Sequence, residues 1–166
     1  MPADAQESLS THIHEIYIKA APAAIWDALT KPEWTAQYGY RALSEYELKA
    51  GGKFVCKSNE KMRSFGLPEV IVDGEVIEAS PPFKLVQTYR FLFNDQHRQE
   101  GFTRITWEIA PTERDFCRLT VTHEIAANAP MMKGAITSKF NNQGGGGWNW
   151  ILSDLKSLLE TGKTMS

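Results

Sequence analysis

The side chains best equipped to hold or act on a small molecule are Gln87, Tyr89, Trp107 and His123, which fall in three stretches whose apolar residues recur with period two. Successive strand residues point to opposite faces, so 83–93 places Leu85, Gln87, Tyr89 and Phe91 on one face and Val86, Thr88, Arg90 and Leu92 on the other. The matching faces are Ile105, Trp107 and Ile109 on the next strand and Leu119, Val121 and His123 on the last. Three polar tips, those of Gln87, Tyr89 and His123, would then stand in an otherwise apolar concavity, the usual composition of a small-molecule site. The competing reading is that these atoms satisfy one another or buried water and only specify the core.

The same residues limit the available chemistry. An imidazole titrates near neutrality, so His123 has the right group for a general base. Glu124 points the opposite way along the strand, leaving Glu75 or Glu78 as the acid that would orient it. A paired nucleophile is missing: Cys56 and Cys117 have no activating neighbour in sequence, and serines sit mainly at turns and helix surfaces. His12, His14, His97 and His123 match no zinc spacing, and Gly144–Gly147 lacks the lysine and hydroxyl of a phosphate-binding loop. No catalytic residue, metal or cofactor is assigned.

These faces need a partner layer. Behind the glycines, Trp148, Ile151, Leu152, Leu155, Leu158 and Leu159 recur at helical spacing, which predicts a helix from about Gly146 to Gly162 with one broad apolar stripe. Earlier, residues 11–20 alternate as a strand, with His12, His14, Ile16 and Ile18 on one face. Pro22 opens a helix burying Ile25, Ala28 and Leu29 with Trp26 at its border, and Pro32 begins a second through Trp34 and Tyr38. Gly51-Gly52 turns a hairpin whose return strand is 53–57, and 58–68 is expected to be a covering loop. Strands follow at 69–79, 83–93, 101–110 and 116–125, and a short helix is expected after Pro130, carrying Met131, Met132, Ala135, Ile136 and Phe140. The sum is an α+β domain with helices on one side of an antiparallel sheet.

A chain of 166 residues, 42% hydrophobic, can bury one sizeable core and requires no second domain. A frayed stretch, 1–10, is expected before a single domain over 11–163. The net charge of −2 is spread without runs, which argues against nucleic acid and anionic membrane as partners. The polar start has no signal-peptide pattern, and no apolar run is long enough to span a membrane, so a cytoplasmic location with reduced cysteines is expected.

Ala-Pro-Ala-Ala-Ile-Trp-Asp-Ala-Leu-Thr-Lys-Pro-Glu near the start, the hairpin Lys-Ala-Gly-Gly-Lys-Phe, Gly74-Glu75-Val76-Ile77-Glu78 before Pro81-Pro82, Thr106-Trp107-Glu108, the Leu-Thr-Val-Thr-His-Glu run 119–124 and the terminal Gly-Gly-Trp to Leu-Leu-Glu-Thr-Gly resemble the START-like (SRPBCC) superfamily. Within it, the chain is most similar to the branch named after the activator of the heat-shock-protein-90 ATPase. The resemblance covers about nine-tenths of the sequence. It departs from the family pattern at Ala21, Lys31 and Asn149, where relatives usually carry a cap, an Asp and a Pro. It implies a helix-grip fold, a curved antiparallel sheet wrapped around a long C-terminal helix with a cavity between. The expected ligand is a small apolar or aromatic molecule, and the expected lining is Gln87, Tyr89, Phe91, Ile105, Trp107, Val121, His123, Trp148 and Leu152. One alternative is a cyclase- or hydrolase-like enzyme using His123. Another is a protein-interaction module, either co-chaperone-like or a homodimer joined through 126–140. Co-chaperone action is the weaker of these two, because the separate N-terminal module of eukaryotic co-chaperones in this family is not in the sequence.

Overall fold

The period-two stretches form one seven-stranded antiparallel sheet: β1 (Ser10–Ile18), β2 (Leu43–Tyr46), β3 (Lys53–Lys57), β4 (Val70–Ser80), β5 (Lys84–Phe91), β6 (Thr103–Pro111) and β7 (Cys117–Ile125). Their spatial order is β1-β7-β6-β5-β4-β3-β2, so every neighbour except β1 and β7 is also consecutive in sequence. This computed structural model describes residues 9–137, 139–142 and 144–165. The expected frayed start lies outside those residues, apart from Leu9 and Ser10. Register shifts at Cys56/Lys57 and Val76/Glu78 are the irregularities that bend a sheet, and the concave face so made receives the long helix.

That helix, α6 (Gly147–Thr161), ends at Gly162, whose left-handed φ of 77° closes it with a hydrogen bond from its N–H to Leu158 O. Trp148, Leu152, Leu155 and Leu158 are buried along the expected stripe, and the stripe also contains a carboxylate, Asp154. Burying that charge is tolerable because both oxygens accept backbone N–H bonds, from Gly39 at 2.8 Å and Met165 at 2.8 Å. Asn149 takes up a local role as well, its Oδ1 accepting from His14 Nδ1 at 3.0 Å and tying α6 to β1.

α1 (Pro22–Thr30) and α2 (Pro32–Thr35) form the expected pair, each with proline in its first turn. Trp26 is fully inside the core rather than at its border, only 6% exposed. Two short helices replace expected irregular chain. α3 (Glu60–Ser64) lies within the expected covering loop, started by Asn59 accepting from Met62 N, and α4 (Asp95–Glu100) fills the β5–β6 connection, started by Asn94 accepting from His97 N. α5 (Pro130–Ile136) forms after Pro130 with Met131, Met132, Ala135 and Ile136 but ends before Phe140, which the expected helix carried, and the Glu100 carboxylate of α4 accepts from its Met131 and Met132 N–H groups. The apolar surface expected over 126–140 is smaller than the sequence suggested, because Met132 and Ile136 point inward and are buried. Phe140 remains 86% exposed.

Candidate functional site

The strand parity puts Leu85, Gln87, Ile105, Trp107, Ile109, Leu119, Val121 and His123 into one buried layer under α6. The centre of that layer is a hydrogen-bonded chain. Thr103 Oγ1–H donates to Tyr89 O at 2.8 Å, so the hydroxyl lone pair accepts from His123 Nε2–H at 2.6 Å. On the other side of the ring, Trp148 Nε1–H donates to His123 Nδ1 at 3.2 Å. Both ring nitrogens are engaged, and the imidazole is held neutral as the Nε2–H tautomer. Burial, reinforced by the nearby His12 and His14, pushes its pKa down to about 3. Glu75 and Glu78, the acids expected to orient it, are exposed on strand β4 and do not contact it. A proton acceptor for catalysis is therefore not on offer at His123, and the ring instead joins three strands and α6.

Around this layer the sheet and helix stop short of full contact. A hollow of about 340 Å³ opens between β3–β5 and the N-terminal turn of α6. Ile71, Val72, Phe91 and Phe93 line its sheet side, Met62 and Leu67 enter from the α3 segment, and Ala135 and Ile136 enter from α5. Among the described residues that line it, none carries a charged side chain. A second, smaller hollow of about 120 Å³ adjoins it, lined in part by Tyr38, Ser44, Tyr46, Gln87, Ile105 and Trp107. Tyr40, Ala42, Cys56, Tyr89, Trp148 and Ile151 belong to both.

The expected lining residues thus divide. Gln87, Tyr89, Phe91, Ile105, Trp107 and Trp148 stand on the walls, whereas Val121, His123 and Leu152 are packed in the core away from them. For His123 the reason is the two hydrogen bonds that hold its ring edge against Thr103 and Trp148. Leu152 lies one turn along α6 and faces β1 beside His14. Sequence reasoning also missed wall residues from β2 and β3. Tyr46 stacks on Phe54 with centroids 4.5 Å apart, and Phe54 on Tyr89 at 6.0 Å. The alternation Phe54, Cys56 within 53–57 carried that signal.

The buried phenols and the thiol of the walls are held in uncharged form. Burial raises the phenol pKa values of Tyr38, Tyr46 and Tyr89, and it raises the Cys56 thiol to about 11 despite the 3.6 Å hydrogen bond from Ser44 Oγ. A thiol in that state is a poor nucleophile, and both cysteines are free. Among the described residues, no three His, Cys, Asp or Glu side chains gather as metal ligands, and no helix is long and apolar enough to cross a membrane. Tyr40 frames the entrance, 53% exposed, with its hydroxyl accepting from Gly147 N at 3.0 Å.

Solved structures with this architecture include protein MLL2253 of Mesorhizobium loti, 20% identical, which aligns over 90% of this chain and 96% of its own with a TM-score of 0.66. The Aha1 dimer of Colwellia psychrerythraea is 19% identical over 93% of this chain and 98% of its own, with a TM-score of 0.64. PFC0360w, an HSP90 activator of Plasmodium falciparum, is 19% identical over 76% of this chain and 87% of its own, with a TM-score of 0.56. At such identities the likeness establishes the helix-grip fold alone. No curated protein matches the sequence. The family model for Activator of Hsp90 ATPase homolog 1-like protein matches residues 19–160, from the end of β1 to the last turn of α6, and the chain belongs to that family.

Proposed function

We propose that this protein binds a small apolar or aromatic molecule in the hollow between the sheet and α6. The observation that carries the proposal is the larger chamber: about 340 Å³, framed by aromatic and aliphatic side chains and free of charge on its walls. Ligand sites are commonly of this size and composition, and an apolar chamber of that volume gains free energy when an apolar ligand covers its walls from water. Binding rather than turnover is the favoured reading, because His123 has no free nitrogen and Cys56 is held as a thiol. The test is native mass spectrometry of freshly purified protein. A co-purifying mass of a few hundred daltons, released on denaturation, supports the reading. Protein that stays at its bare mass after exposure to a panel of apolar compounds refutes it.

A second proposal is self-association, favoured by the dimeric Colwellia relative and by Phe140 on the surface. Sedimentation at high micromolar concentration decides it, a monomer throughout being the contrary result. The two buried free thiols and the net charge of −2 support a cytoplasmic location and a partner other than nucleic acid.

A further inference from the structure

Gln87 is 0% exposed, and its amide is only half used. Oε1 accepts from Tyr46 O–H at 2.8 Å, but Nε2 has no hydrogen-bond partner among the described residues. Buried amide donors are rarely left so, since an unmade bond costs the desolvation of the group with nothing in return. This one lies on the wall of the smaller chamber, among Tyr46, Tyr89, Ile105 and Trp107. The register explains the placement: Gln87 pairs with Val76 of β4 and Ile105 of β6, so its amide projects from the middle of the sheet onto the concave face. Tyr46, reaching over from β2, takes up Oε1 and leaves Nε2 as the free end of the amide.

We infer that the smaller chamber is an acceptor-reading subsite: the ligand presents a neutral carbonyl oxygen to Gln87 Nε2–H while its apolar body occupies the larger chamber. The inference rests on the ligand-binding reading above and adds the ligand's polar group and its orientation. A ketone, aldehyde, ester or amide supplies the missing acceptor without bringing charge into the site. Charge is disfavoured because Arg41, the one charged residue among those lining this chamber, is exposed at its rim. The chambers adjoin along Tyr40, Ala42, Cys56, Tyr89, Trp148 and Ile151, so one molecule can extend from one into the other past that shared border.

Three bicyclic probes of one shape separate the possibilities: indane with no polar atom, 1-indanone with an acceptor only, and indole with a donor only. Titrated into the wild-type protein and followed by isothermal titration calorimetry, 1-indanone should bind about three- to tenfold more tightly than indane, the ratio expected from one net hydrogen bond. In Gln87→Met that preference should vanish while indane still binds. The double variant Gln87→Met with Tyr46→Phe, which leaves no orphaned hydroxyl, should behave the same way and guards against misfolding of the single one. Equal affinities for indane and 1-indanone in the wild-type protein overturn the subsite and leave the cavity reading intact. Tighter binding of indole overturns it too, since the site would then read a donor. If none of the three binds, the cavity reading falls and this inference falls with it.

Discussion

The engaged state of His123 makes acid stability a direct test of the core. In the unfolded chain its imidazole titrates near 6.5, and in the folded protein it does so at about 3. Between those values the unfolded state holds one more proton than the folded state, so stability rises with pH there and is lost as pH falls below 6.5, levelling off near 3. From pH 7 to pH 5 the single site should cost about 2 kcal/mol, at roughly 1.4 kcal/mol per pH unit below 6.5. Its titratable neighbours are His12, opposite it in the β1–β7 register, and His14, so their titration has to be kept constant. The perturbation is therefore His123→Gln, which retains an amide donor toward Thr103, removes the titration and leaves both neighbours in place. At pH 7 the variant should be less stable by about 1–3 kcal/mol, because Trp148 Nε1–H loses its acceptor. Urea denaturation followed by circular dichroism at half-unit pH steps measures both proteins. Their stabilities should converge by about 2 kcal/mol between pH 7 and pH 5. Parallel curves would refute the engaged, neutral histidine.

Other perturbations probe the remaining supports. Leu155→Ala, in the fully buried middle of the α6 stripe, should cost about 2–5 kcal/mol in urea denaturation, whereas exposed Ser153→Ala should change little; equal small effects would mean that the stripe is misplaced. Asp154→Ala leaves the Gly39 and Met165 N–H groups without their carboxylate and should cost roughly 2 kcal/mol or more, with faster amide exchange at both. Gly147→Ala forces a side chain onto a residue at φ 71° and brings a Cβ within 2.7 Å of Ile136 O. A loss of about 1–3 kcal/mol in a thermal melt is expected, and an unchanged melt would show that α5 and α6 are not packed as described.

Much of the architecture was legible because its causes are local. Strand β6 is buried on one face only, and β5 and β7 bury mainly one face with Val86 and Thr120 as exceptions, so period two revealed both the strands and the inward set Gln87, Ile105, Trp107 and His123. The helix α6 announced itself through its stripe and its two glycine boundaries. α4 did not, since Asp95-Gln96-His97-Arg98-Gln99-Glu100 has no apolar face, and its role is to set Glu100 against the start of α5, some thirty residues on. The site was half legible for a related reason. Parity states which face a residue takes, but not where along that face the helix leaves space. Val121 and Leu152 point inward as expected and meet packed core, and His123 meets Thr103 and Trp148, partners that only the tertiary fold brings near. Asp154 was hidden by its own type: a carboxylate in an apolar stripe looks like an exposed position until its two backbone donors are seen.

The central claim is that an apolar molecule binds between the concave face and α6, and equilibrium titration with a neutral fluorophore such as N-phenyl-1-naphthylamine tests it most directly. Four proteins are needed: wild type, Tyr89→Ala and Trp107→Ala on the cavity wall, and Arg90→Ala on the opposite face, where the guanidinium pairs with Asp73 at 2.7 Å and lies over the Phe102 ring. Saturable one-to-one binding by the wild-type protein, the same affinity in Arg90→Ala and an altered affinity in both wall variants are expected. No saturable binding by the wild-type protein, or a change confined to Arg90→Ala, would contradict the claim.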